Sequence, residues 1–185
     1  SLMGMSLDGH GLREDFEDIR SLLGPGTWRL RYTVLRALDR RLLRMWTAGL
    51  TDPPPEEVKL LLSSFRTGPY FPLASAKTTS RAHFQVAHGQ AVDAGCFDAL
   101  LPTIDGDLSE CTASNFLVWM DGELRTPGMD RGILGGVTRN ILLQACQIQQ
   151  ISVREVKIWP KDLLLASEVY VTNAGALMCH KLVAT

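Results

Sequence analysis

The chain lacks most of the features that would assign it a function at first reading. It has no charge imbalance. Its 19 Lys and Arg against 20 Asp and Glu leave a net −1 over 185 residues, unlike the basic footprint of a nucleic-acid-binding domain. No apolar run approaches the ~18 residues of a membrane-spanning helix. The opening stretch, SLMGMSLDGHG, has no charged segment followed by an apolar one, so no secretory signal is expected there. Cysteine is sparse and scattered: Cys96, Cys111, Cys146 and Cys179 form no CxxC pair and no Cys/His cluster. That pattern argues against zinc or disulfides and for buried free thiols in a reducing, cytoplasmic setting. His10, His83, His88 and His180 have no metal-like spacing, so no metal is expected, and His83 and His88 read as structural. With 45% hydrophobic and 21% charged residues, the composition is that of a soluble globular protein and not of a disordered, collagenous or coiled-coil one.

The patterning predicts a mixture of helices and strands. Leu12, Phe16, Ile19 and Leu23 recur at helical spacing, and Gly24-Pro25-Gly26 stops that helix. In TWRLRYTVL, Trp28, Leu30, Tyr32 and Val34 alternate with Arg29, Arg31 and Thr33, the pattern of a half-buried strand. A second strand is expected over 42–50 and a third over 58–65. Between them Thr51-Asp52-Pro53-Pro54-Pro55 reads as a loop within one domain. A helix is expected over 78–94 with Gly95 as its C-terminal stop. Strands are expected over 97–104, 115–120, 151–158 and 168–173. Asp121-Gly122 marks a two-residue hairpin turn, a helix starts at Gly135-Gly136-Val137-Thr138, and 161–166 is a short helical piece. The absence of regular βαβ alternation favours an α+β fold over a doubly wound sheet.

Several residues have the chemistry of a site. Lys77 follows the small and apolar run Phe71-Pro72-Leu73-Ala74-Ser75-Ala76, where weaker solvation would lower its pKa and free the amine for Schiff-base chemistry. Glu110 lies among Ser109, Cys111, Thr112, Ser114 and Asn115 between two expected strands. It reads as an acid in a hydrogen-bonded turn, able to hold a protonated ring nitrogen, or as an ordinary exposed turn acid. Gly132-Ile133-Leu134-Gly135-Gly136-Val137-Thr138-Arg139 offers glycines, a hydroxyl and a helix start, a candidate phosphate cradle without the Gly-Lys-Ser/Thr ending of a P-loop. The arginines Arg29, Arg31, Arg36, Arg40, Arg41 and Arg44 could supply a fork for a substrate carboxylate, although most read as a solvated face.

Four segments occur in a telling order: Leu73-Ala74-Ser75-Ala76-Lys77-Thr78-Thr79-Ser80, Ser109-Glu110-Cys111-Thr112-Ala113-Ser114-Asn115-Phe116, Gly132 to Arg139, and Val169-Tyr170-Val171-Thr172-Asn173-Ala174. In order and separation they resemble the class IV aminotransferases, the fold-type IV pyridoxal-phosphate enzymes, over about residues 28–175. The resemblance implies a D-amino-acid-aminotransferase-like fold of two lobes, here a partial N-terminal lobe over 1–70 and a cofactor-binding lobe over 71–185. It implies pyridoxal 5'-phosphate carried covalently on Lys77, with Glu110 at the ring nitrogen and Leu134 against the ring. The phosphate would lie on the backbone of Gly136, Val137 and Thr138 and on the Thr138 hydroxyl. Asn173 and Ala174 would make a further phosphate or substrate contact, and Arg36 would bind the substrate carboxylate. A homodimer acting on a small amino- and carboxyl-bearing substrate is also implied, with no nucleic acid or membrane partner.

The ending Thr172-Asn173-Ala174 looks more like that of aminodeoxychorismate lyase than the Gly-Thr-Ala common in branched-chain transaminases. The resemblance therefore puts lysis of 4-amino-4-deoxychorismate to pyruvate and 4-aminobenzoate first, in folate biosynthesis. Transamination of a branched-chain or D-amino acid is the alternative, and a non-catalytic dimeric relative is a third reading. Family members carry an N-terminal segment with a phosphate-gripping arginine, and they continue beyond the last motif. The natural protein is accordingly expected to be longer than Ser1–Thr185.

Overall fold

The computed structural model describes residues 9–39, 42–51, 55–70 and 73–182, with side chains omitted at 9–10 and 176–182. The chain divides into two units, Ser1–Pro53 and Pro54–Thr185. The division falls inside the proline run, whose pattern alone suggests a loop within one domain.

The first unit holds helix α1, Gly9–Leu22, and strands β1, Trp28–Arg36, and β2, Leu42–Leu50. The strands form an antiparallel hairpin with Trp28 opposite Leu50 and Arg36 opposite Leu42. Alternation in β1 places Trp28, Leu30 and Tyr32 on the half-buried side and Arg29 and Arg31 in solvent. Trp46 packs on Phe16 of α1 (6.2 Å between ring centroids) and on Tyr32 (4.7 Å), contacts that fix the helix against the hairpin.

The second unit contains two sheets among its described residues. The larger has the order β3-β11-β10-β7-β8-β9, from β3 (Glu57–Val58), β7 (Asn115–Met120), β8 (Glu123–Thr126), β9 (Val153–Glu155), β10 (Glu168–Asn173) and β11 (Ala176–Leu182). The smaller has the order β4-β5-β6, from β4 (Leu60–Leu62), β5 (Asp98–Pro102) and β6 (Leu108–Cys111). Helices α2 (Ala82–Asp93), α3 (Val137–Ile148) and the single turn α4 (Pro160–Leu163) complete it. The architecture is the expected α+β mixture, with both antiparallel and parallel pairs.

Burial explains where this differs from the sequence pattern. The expected strand over 58–65 is two short strands in different sheets, β3 pairing with β11 and β4 with β5. The segment Leu-Ser-Glu-Cys of β6 is strand although none was expected there, because all four residues are buried between neighbours. Helix α2 starts at Ala82 rather than Thr78, and 78–81 is irregular chain. The β7–β8 turn is as expected: Asp121 and Gly122 both take positive φ (51° and 77°), the conformation that favours Asp-Gly in a two-residue hairpin.

The main core gathers Leu100, Leu108, Phe116, Val118, Ile158 and Val171. Full burial of one such side chain contributes about 1.5–3 kcal/mol. A second cluster seats α2 on β5 through Ala87, Ala91 and Ala99, small residues that let helix and sheet approach closely. Cys111 and Cys146 are buried free thiols as expected, Cys96 is half-buried, and the Cys179 side chain lies outside the described residues.

Candidate active site

A cavity of about 280 Å³ opens in the second unit between the loop before α2, the end of β6 and the segment before α3. Ala74, Ala76, Thr78 and Leu73 line it from the Lys77 loop, Arg81, His83 and Phe84 from the start of α2, and Glu110 and Leu134 from the far side. A second cavity, about 310 Å³, lies on the hairpin unit against Arg29 and Arg31 and holds no acid.

Glu110 is not in a turn. It is the third residue of β6, 6% exposed. Its Oε2 accepts the Leu134 backbone N–H at 3.0 Å and the Asn115 side-chain Nδ2 at 3.3 Å. Burial raises its pKa to about 7, against the Leu134 hydrogen bond and the charges of Arg81 and Lys77, which lower it. The exposed-turn alternative is thereby overturned: a strand with both faces covered carries this acid inward.

Asn115, the first residue of β7, ties the neighbouring segments together. Besides Glu110, its Nδ2 donates to the Leu134 carbonyl at 2.9 Å. A Cβ on Gly136 would overlap Asn115 Oδ1, so glycine lets the start of α3 lie this close to β7. Gly136 is the N-cap of α3 and no side chain caps the helix, which leaves the first amides, at Val137 and Thr138, pointing out of its positive end.

The other expected residues fall into place unevenly. Lys77 sits in irregular chain between Ala76 and Thr78, both of which line the cavity, and its charge acts on Glu110. It is exposed, so the poorly solvated setting suggested by Phe71–Ala76 is not what the fold provides. The Thr138 hydroxyl donates to the Asn173 backbone carbonyl at 3.0 Å. Asn173 ends β10, its Nδ2 donating to Ser114 Oγ (3.0 Å) and its Oδ1 accepting the Gly175 N–H (2.9 Å). Ala174 is exposed in the turn that follows. Arg36 ends β1 in the hairpin unit and is exposed. The fold thus brings Glu110, Leu134 and the Lys77 loop to one cavity, and joins Thr138, Asn173 and Ser114 through hydrogen bonds.

The sequence reading missed Arg81, Phe84 and Thr67, and read His83 as structural although it lines the cavity. Arg81 and His83 stand four and six residues after Lys77, and the start of α2 at Ala82 is what turns them to the cavity. Asn115 stands within a motif, but its role rests on contacts with Leu134 and Gly136 that no local pattern announces.

The donor set fits pyridoxal phosphate. A buried acid half-supplied with donors suits a protonated ring nitrogen, and an uncapped helix start suits a phosphate. Comparison with known proteins agrees in kind. The family model described as Amino-transferase class IV matches residues 1–180. A "Probable branched-chain-amino-acid aminotransferase" of Thermotoga maritima is 33% identical over 100 residues, 54% of this chain and 36% of that protein. The matched stretch spans about a third of the length of such curated relatives. Among solved structures, a "Putative 4-amino-4-deoxychorismate lyase" of Legionella pneumophila superposes with a TM-score of 0.81 at 23% identity, over 97% of this chain and 69% of that one. A T.th. branched-chain amino acid aminotransferase with pyridoxamine 5'-phosphate gives 0.85 at 20%, over 96% and 63%. At these identities the superpositions establish the shared fold.

Proposed function

Since the chain belongs to the class IV amino-transferase family, we propose that it carries the cofactor site of a pyridoxal-phosphate enzyme acting on small molecules that bear an amino and a carboxyl group. The observation that carries this reading is Glu110: a buried acid at a strand end, short of donors, facing a cavity it shares with Leu134 and the Lys77 loop.

Pyridoxal phosphate, when bound, supplies an electron sink for charge that develops at the substrate's α carbon. The protein's part is to hold, orient and move protons. Glu110 would accept the ring N–H and favour the protonated ring. Leu134 would pack against the ring, its backbone N–H already steering the Glu110 carboxylate. The Val137 and Thr138 amides at the positive end of α3 would hold the phosphate, with Gly136 setting that helix end against Asn115. Lys77 would anchor the cofactor and, once released, carry the α proton as base and then acid. Arg36 is proposed as a carboxylate contact by family resemblance alone. A homodimer and a cytoplasmic location belong to the same proposal.

Two reactions remain within this class. Transamination of a branched-chain or D-amino acid is favoured by the names of the curated relatives, exemplified by the Thermotoga maritima protein and by the D-alanine aminotransferase of Bacillus licheniformis. Lysis of 4-amino-4-deoxychorismate is favoured by the ending Thr172-Asn173-Ala174. That ending now weighs less, because the Asn173 side chain holds Ser114 and Gly175 in place and does not line the cavity. We therefore put transamination first. The test is to incubate the protein and pyridoxal phosphate with branched-chain and D-amino acids plus 2-oxoglutarate, and separately with 4-amino-4-deoxychorismate. Keto-acid and glutamate formation is expected. Release of pyruvate and 4-aminobenzoate without transamination would reverse the order.

A further inference from the structure

We infer that Arg81 is a positioning residue for Glu110: a cation fixed beside the cavity that favours the charged form of the strand-end carboxylate against its burial. The inference rests on the reading of Glu110 as the acid that meets the cofactor, and adds the residue that sets its charge.

Geometry carries the argument. Arg81 is the residue before α2, and its side chain does not cap that helix. It turns instead onto the smaller sheet, where Nη2 donates to the Thr112 carbonyl, two residues beyond Glu110. The guanidinium carbon also lies 4.4 Å from the centroid of the Phe84 ring. One contact holds the planar group to the strand end and the other to the helix, so its position and tilt are both set. Arg81 and Glu110 line the same cavity, and Arg81 is half-buried, where charge–charge interaction is screened far less than at the surface.

The other charged groups facing Glu110 leave this role to Arg81. From the same loop comes Lys77, whose charge also favours ionised Glu110, and from β5 comes Asp98, which opposes it. Of the cations, Arg81 acts the more strongly. Lys77 is the group whose protonation changes in the proposed reaction, whereas an arginine stays charged throughout. Cys111, next in β6, is held neutral because burial first, then Asp98 and Glu110, raise its pKa. A fixed cation that does not take part in the chemistry favours the charged carboxylate to the same degree while its neighbour titrates.

The experiment is done without cofactor, on the full chain labelled with carboxyl-¹³C glutamate, the Glu110 signal being assigned by Glu110→Gln. For Arg81→Gln the Glu110 titration midpoint is expected to rise by about one pH unit, a tenfold change in proton affinity. Arg81→Lys keeps a charge but loses the fork and the stacking, and is expected to rise by about half as much. It carries the test alone if Arg81→Gln does not fold. A midpoint within ~0.2 unit of the parent in either folded variant overturns the inference, as does an equal rise in both, which would mean packing rather than charge. Failure to bind pyridoxal phosphate would count against the proposed function and leave this titration unaffected.

Discussion

Two buried carboxylates stand on adjacent strands of the smaller sheet, and their surroundings differ. Asp98, at the start of β5, is 1% exposed. It accepts the backbone N–H groups of Ala99 (2.7 Å), Thr112 (3.2 Å) and Ala113 (3.1 Å) and the Thr112 hydroxyl, and His88 Nδ1 lies 3.6 Å away. Glu110, near the end of β6, accepts two donors on one oxygen, at 3.0 and 3.3 Å, and faces a cavity. Burying a carboxylate costs several kcal/mol unless donors offset it. At Asp98 the offset comes from the fold itself, and the acid fastens the 112–113 turn. At Glu110 it is incomplete, and a ligand N–H would complete it. Similar burial thus makes one acid part of the architecture and leaves the other open to a ligand.

The sharpest way to break this contrast is substitution. Asp98→Ala strands the donors of Ala99, Thr112 and Ala113 and is expected to cost about 3 kcal/mol in urea unfolding. Glu110→Gln at pH 8 removes a buried charge and keeps an acceptor, and is expected to raise stability, by up to about 3 kcal/mol. Equal losses at the two positions would erase the distinction.

A pH series sharpens it further. The folded Glu110 pKa is about 7 against an ordinary 4.5, so between those values the folded chain binds more protons than the unfolded one. Stability through this group is therefore present below about pH 4.5 and lost as pH rises to about 7. Each pH unit between the two values is worth ~1.4 kcal/mol, so the span is up to about 3 kcal/mol. Glu110→Gln should flatten that slope in denaturant titrations, and an unchanged slope would assign it to another group. The smallest effect is expected at Gly136. Its φ of −63° suits any residue, so Gly136→Ala should cost only what the overlap with Asn115 Oδ1 demands, about 2 kcal/mol by thermal unfolding.

The contrast also explains what was legible in the sequence. Half-exposed elements announced themselves: β1 through alternation, the β7–β8 turn through Asp121-Gly122, α1 through helical spacing and its glycine stop, and α3 through its glycine start. Strand β6 did not, because burial on both faces removes alternation and its Ser109 and Glu110 read as turn residues. Lys77, Glu110, Leu134 and the Gly136-Val137-Thr138 start were legible as an ordered set of motifs. Arg81 and Asn115 were not, since their roles arise from Thr112, Leu134 and Gly136, residues brought near by folding alone.

The central claim is that the cavity of Glu110 and Leu134 is a pyridoxal-phosphate site served by Lys77. The most direct measurement is borohydride reduction of the full chain after incubation with pyridoxal phosphate, followed by peptide mass mapping. The account predicts a stable phosphopyridoxyl adduct on Lys77, lost in Lys77→Ala and weakened in Glu110→Ala. Absence of an adduct, or its even spread over Lys59, Lys157 and Lys161, would contradict it.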